Sequence, residues 1–125
     1  MRVRSVFPIA GPADNDTGQH LRDIIAPGLL VLFCGINPGM GAAATGHHFA
    51  GRGNRFWRVL HRAGFTKDEF RAEDDHRLLQ YRFGLTTAVS RATARSDELS
   101  RIEIQAAIAQ LELKVQRCAP RFVAF

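Results

Sequence analysis

The sequence predicts an α/β fold, a central and mostly parallel sheet with helices on its faces. Two observations carry that expectation. A continuous apolar run, LLVLFCG (Leu29 to Gly35), is bounded by Pro27-Gly28 and ends on a glycine, the pattern of a strand covered on both sides. Beyond it, stretches with helical spacing alternate with β-prone ones in the order strand, helix, helix, strand, helix, strand, which implies helices packed on a sheet.

Taken in order, the first 20 residues, MRVRSVFPIAGPADNDTGQH, have a short apolar patch broken by Pro8 and followed by Asp14 and Asp16. They read as a disordered N-terminal extension rather than a targeting signal, and residues 21–125 read as one domain. The strand at Leu29 to Gly35 leads into a glycine-rich loop. From Asn54 the text turns helical: Phe56, Trp57, Leu60 and Ala63 repeat at helical spacing, Asn54 is a good N-cap and Gly64 a good stop. The opposite face carries Arg55, Arg58 and Arg62. FRAEDDHRLLQYRFG reads as a second, shorter helix ending by Gly84, and GLTTAV after it as a second strand. SRATARSDEL is polar and reads as loop. Ser100 with Glu103 makes a capping box that opens a helix with Ile104, Ile108, Leu111, Val115 and Cys118 on one stripe. Pro120 ends that helix, and RFVAF reads as a last strand.

Composition narrows the function classes. A chain of 125 residues suits a single domain, and 46% hydrophobic with 23% charged residues is ordinary for a globular protein. No apolar run is long enough to span a membrane, and the expected location is the cytoplasm. The net charge is +5, and of 17 Lys plus Arg only Lys67 and Lys114 are lysine. Arginine's planar fork suits phosphates and base edges, so nucleic acid is a candidate partner beside a merely basic surface. Cys34 and Cys118 lie in apolar patterns and form no CxxC or CxxH pair, so they read as buried, reduced core residues.

The loop after the first strand carries the candidate chemistry, because ligands of open α/β sheets bind beyond the carboxyl ends of the strands. In Gly35-Ile36-Asn37-Pro38-Gly39 the glycines permit a tight turn and close approach, and Pro38 stiffens the segment. Asn37 offers a carbonyl that accepts from water and an amide that donates. Asn-Pro-Gly is equally a good turn. Phe49 suits either a core position or stacking on a planar heterocycle, and with Asn37 and free backbone amides it would make a base pocket. GINPGMG lacks the GxGxxG arrangement and no GxxxxGK[ST] occurs, which argues against a phosphate cradle. His47-His48 has no third partner at a metal-ligand spacing, so no metal is expected.

Together, GINPG, GHHFAGRGNRFW, AGFT and LLQYRFGLTTAVSRATAR resemble the mismatch-specific uracil-DNA glycosylase family, the bacterial Mug proteins and their eukaryotic thymine-DNA glycosylase relatives. The likeness runs from about Asp23 to Phe125. It implies a three-layer α/β/α fold and a monofunctional, cofactor-free glycosylase. Such an enzyme flips uracil or thymine out of a G:U or G:T mismatch in double-stranded DNA, hydrolyses its N-glycosidic bond in base excision repair, and acts as a monomer. The family's catalytic asparagine falls on Asn37 and its stacking aromatic on Phe49, with the backbone at Gly35 and Ile36 meeting the pyrimidine edge. Arg52, Asn54, Arg55 and Arg58 would contact DNA. Two departures from the family pattern stand out. Members carry an acidic residue and a proline where this chain reads Ser90-Arg91-Ala92-Thr93. The second family motif, Asn-Pro-Ser-Gly-Leu or similar, would follow Phe125, so the expectation is a domain lacking its C-terminal strand and helix. The alternative in another class is a non-catalytic remnant that binds nucleic acid through its arginine-rich surface.

Overall fold

The computed structural model describes residues 21–125; the extension expected over residues 1–20 lies outside them. Three strands, β1 (Val31–Gly35), β2 (Phe83–Thr87) and β3 (Phe122–Ala124), form one sheet in the order β2-β1-β3. The strands pair in parallel, with Val31 opposite both Phe83 and Phe122 and Gly35 opposite Thr87, and Ile24 adds one antiparallel bridge to Leu85. Three α-helices join them: α1 (Met40–Thr45), α2 (Phe56–Arg62) and α3 (Arg101–Cys118).

The alternation of β1 sorts the core into two layers. Phe33 points to one face, where its ring meets Phe56, Phe65 and Phe83 edge-on at 5.6, 5.7 and 5.9 Å. There it joins a cluster of Trp57, Leu60, Phe70, Leu78, Phe83 and Leu85 supplied by α2, the segment after it and β2. Leu32 points to the other face and packs with Leu29, Cys118 and Val115 of α3. Helices on both sides of a parallel sheet give the three-layer α/β/α arrangement, and both cysteines are buried and free.

The capping box of α3 forms as its residues require. Ser100 Oγ accepts from the Glu103 amide at 3.0 Å, and Glu103 Oε1 accepts from the Ser100 amide at 3.3 Å. Only the C-terminal half of the helix's apolar stripe is covered: Cys118 is fully buried, whereas Ile104 and Ile108 are 40% and 53% exposed. An ion pair docks this half, with Lys114 Nζ 2.9 Å from Asp23 Oδ2 and 3.0 Å from Thr86 Oγ1, which itself donates to Asp23 Oδ1 at 2.6 Å.

Three elements differ from the sequence expectation. The α-helix expected around residues 70–83 is instead a 3-10 helix, Ala72–Tyr81, and β2 begins at Phe83. A 3-10 helix eclipses residues three apart, and Ala72, Asp75, Leu78 and Tyr81 have that spacing and turn inward. The short helix α1 was hidden by glycines on both flanks; Gly46 ends it at φ 77°. Helix α2 starts at Phe56 rather than next to Asn54, although Asn54 Oδ1 still accepts from the Phe56 amide at 2.9 Å.

Gly84 lies in β2 opposite Leu32, beneath the Leu29 side chain. A Cβ there would sit 2.5 Å from Leu29 Cδ1 and 2.9 Å from the Ile24 carbonyl oxygen, which cannot both move away. Gly84→Ala is therefore expected to lower stability by about 1–3 kcal/mol in urea unfolding. Gly53→Ala, where a Cβ meets nothing within 4 Å, is expected to stay within about 0.5 kcal/mol of the parent.

Candidate active site

Parallel strands β1 and β2 end side by side, and the chains leaving them stay bonded. Ala88 and Val89 donate from their amides to the Gly35 and Ile36 carbonyls at 2.8 and 2.9 Å, and the Thr93 amide donates to the Pro38 carbonyl at 3.2 Å. Asn37 lies in this seam, half-buried. Its side-chain Nδ2 donates to the Arg91 carbonyl and to Thr93 Oγ1, both at 2.8 Å. A carbonyl oxygen only accepts, so the atom facing Arg91 must be the amide nitrogen, which settles which way the side chain is turned. Thr93 Oγ1 donates onward to the Arg95 carbonyl at 2.7 Å. Both amide hydrogens of Asn37 are thus spent within the protein, while Oδ1 makes no hydrogen bond to the described residues.

The loop that supplies these acceptors is braced from α3. Arg91 Nε and Nη2 donate to the two carboxylate oxygens of Glu103 at 2.6 and 3.1 Å, and Nη2 also reaches the Glu98 carbonyl at 3.3 Å. The Arg91 hydrogen bond, helped by the Ser100 amide, holds the Glu103 carboxyl below its usual range. The same contact pushes the Arg91 guanidinium up. The contacts that Ser90-Arg91-Ala92-Thr93 makes to Asn37 come from a backbone carbonyl and a threonine hydroxyl.

Phe49 sits across the loop, with its ring edge over Gly35: a Cβ on that glycine would be 3.6 Å from Phe49 Cζ. One face of the ring is stacked on Phe56, centroids 3.9 Å apart and planes 16° from parallel. The residue as a whole is half-buried. Its backbone has φ 55°, the left-handed region that bulky residues avoid. The preceding His48 is buried. Its Nε2 lies 2.7 Å from the Arg22 carbonyl and must carry the hydrogen, and burial pushes its pKa down, favouring the neutral ring. His47 instead turns to Asp75, Nδ1 to Oδ1 at 3.3 Å. The paired histidines therefore diverge, and among the described residues no group of three or more His, Cys, Asp or Glu converges on a point.

Arg52, Arg55 and Arg58 are exposed on and before α2, with Arg58 Nε only loosely paired to Glu69 at 3.9 Å. Asn54 is exposed, but its carbonyl is engaged in capping α2, leaving the amide nitrogen for outside contacts. Ile36 is 59% and Met40 49% exposed, two apolar side chains beside Asn37 in sequence and open to solvent. Two open apolar grooves lie elsewhere. One, of about 320 Å³, runs along α2 past Phe33, Phe56 and Val59, and the other, of about 400 Å³, lies between α3 and β3. Neither is lined by Asn37 or Phe49: the polar side chains along them are Arg55 in the first and Glu112 and Gln116 in the second, whereas the candidate site lies in the loop.

Sequence reasoning missed Thr93 and Arg91 as partners of Asn37. Thr93 is 4% exposed inside a stretch that reads as polar loop, and a hydroxyl or a backbone carbonyl supplied from 54 or more positions away leaves no mark in local spacing. A family model described as the Uracil DNA glycosylase superfamily matches residues 22–125. That span covers the sheet, both helical layers and every site residue above, and so the chain belongs to the uracil DNA glycosylase superfamily, a family of DNA glycosylase hydrolases.

Proposed function

We propose that this chain is a mismatch-specific uracil-DNA glycosylase of the Mug and thymine-DNA glycosylase type, acting as a monomer on G:U and G:T pairs in double-stranded DNA. The observation that carries the reading is the disposition of Asn37. Its amide hydrogens are consumed by Arg91 and Thr93, which turns Oδ1 into a fixed acceptor for a water molecule. The target pyrimidine, extruded from the helix, stacks on Phe49, and the backbone at Gly35 and Ile36 meets its edge. The water held at Oδ1 then attacks C1′ of the deoxyribose as the N-glycosidic bond breaks.

An amide is not a general base at neutral pH, so Asn37 orients the water without taking its proton. Rate must come from positioning, and from electrostatic stabilisation of an oxocarbenium-like sugar and a departing base anion. Selectivity follows partly from extrusion, since a mispaired base is less costly to unstack than a paired one. Arg52, Arg55 and Arg58, with the amide of Asn54, hold the phosphates beside the lesion. None of the three arginines is tied into the core, which leaves them available for that contact.

Single-turnover release of uracil from a G:U duplex tests the catalytic assignment. Asn37→Ala is expected to slow release by about 100-fold or more, with the circular dichroism spectrum and unfolding midpoint close to the parent. Salt-sensitive binding by the parent with no released base would favour the non-catalytic nucleic-acid-binding reading instead. For the DNA contacts, replacing Arg52, Arg55 and Arg58 by Ala is expected to flatten the dependence of log affinity on log salt by roughly 0.9 per lost phosphate contact. An unchanged slope would remove these arginines from the interface.

A further inference from the structure

We propose that Asp75 is a positioning residue for Phe49, acting through the peptide groups of His48. The inference rests on the reading of Phe49 as the ring that stacks the extruded base. Phe49 holds φ 55°, a conformation that a bulky residue keeps only where its surroundings over-determine it. Those surroundings are on either side of His48. The His48 amide donates to Asp75 Oδ2 at 2.8 Å, and the His48 carbonyl accepts from Trp57 Nε1 at 3.2 Å. One residue is thus gripped at both of its backbone polar groups by side chains from two different elements, the 3-10 helix and α2. Its ring is pinned as well, by the Arg22 carbonyl.

The chemistry of Asp75 is unusual for a merely structural position. Its side chain is 4% exposed, yet its short-range partners are the His48 amide and the His47 ring, with His76 Nδ1 at 4.0 Å; no lysine or arginine pairs with it among the described residues. Burying a carboxylate is costly unless its oxygens are satisfied. Both oxygens here are satisfied by the two residues immediately before Phe49. The 3-10 winding that turns Asp75 inward beside Leu78 therefore serves the loop as well as the core. Held in this way, Phe49 lies against Phe56 on one side and above Gly35, beside the asparagine that holds the water.

Three measurements test the assignment. In the free protein, ring-to-ring nuclear Overhauser contacts between Phe49 and Phe56, and the Hε1 resonance of Trp57, the only tryptophan, report the grip without DNA. Asp75→Ala is expected to weaken the contacts and shift the resonance, whereas Asp75→Asn, which keeps an acceptor for the His48 amide, is expected to preserve both. With a G:U duplex, Asp75→Ala is expected to slow single-turnover base release about tenfold, within the coupling range of residues that act together. The same change made on Phe49→Ala is expected to have no further effect. Equal slowing in both backgrounds, or Phe49–Phe56 contacts that persist in Asp75→Ala, would overturn the proposal. If the parent chain releases no base, the glycosylase reading fails, and the resonance measurements alone decide whether Asp75 places Phe49.

Discussion

The site depends on the parallel register of β1 and β2. Because Gly35 stands opposite Thr87, the two chains leave the sheet together and bond to each other for several residues beyond it. That seam is what lets a side chain from the first loop find acceptors in the second, more than fifty positions away in sequence. A slip of one residue would turn every side chain of the strand to the opposite face. It would also separate Asn37 from Arg91 and Thr93. The brace from α3 through Glu103 to Arg91 ties the same seam to the helical layer on the other side. The Lys114–Asp23–Thr86 cluster fastens that layer to the sheet.

Much of this architecture could be read from the sequence where one physical signal acts locally. The run Leu29 to Gly35 announces a covered strand. Ser100 and Glu103 announce a helix start, because a capping box is decided within four residues. The 3-10 helix could not be read in the same way. Its inward residues, Ala72, Asp75, Leu78 and Tyr81, include a carboxylate, and a buried aspartate looks like a surface residue until the His48 amide and the His47 ring that satisfy it are seen. Helix α1 failed for a different reason, since alanines between glycines suit a loop or a turn of helix equally well. Of the apolar stripe on α3, Val115 and Cys118 pack against the sheet while Ile104 and Ile108 stay exposed, because spacing says nothing about how much of a stripe is covered.

The candidate site was half legible. Residue spacing left Asn37 open between a turn residue and a polar group aimed at a ligand, and Phe49 between core and stacking surface. In the fold, the Asn37 side chain makes long-range bonds rather than the local ones that a turn asparagine makes. Phe49 packs on Phe56, as the core alternative requires, while its backbone is held in an unfavourable conformation. Thr93 and the Arg91 carbonyl reach Asn37 from more than fifty positions away, and Asp75 bonds the His48 amide from 27 positions away, whereas Trp57 bonds the His48 carbonyl from only nine positions along the chain.

The most direct test is a crystal structure with a duplex carrying 2′-fluorodeoxyuridine opposite guanine, whose glycosidic bond resists hydrolysis. The expected result is the uracil ring extruded onto Phe49, a water within hydrogen-bonding distance of Asn37 Oδ1 and facing C1′, and the Asn37 amide still donating to Arg91 and Thr93. An Asn37 side chain turned away from the sugar, or the uracil left stacked in the duplex with the protein bound, would contradict it.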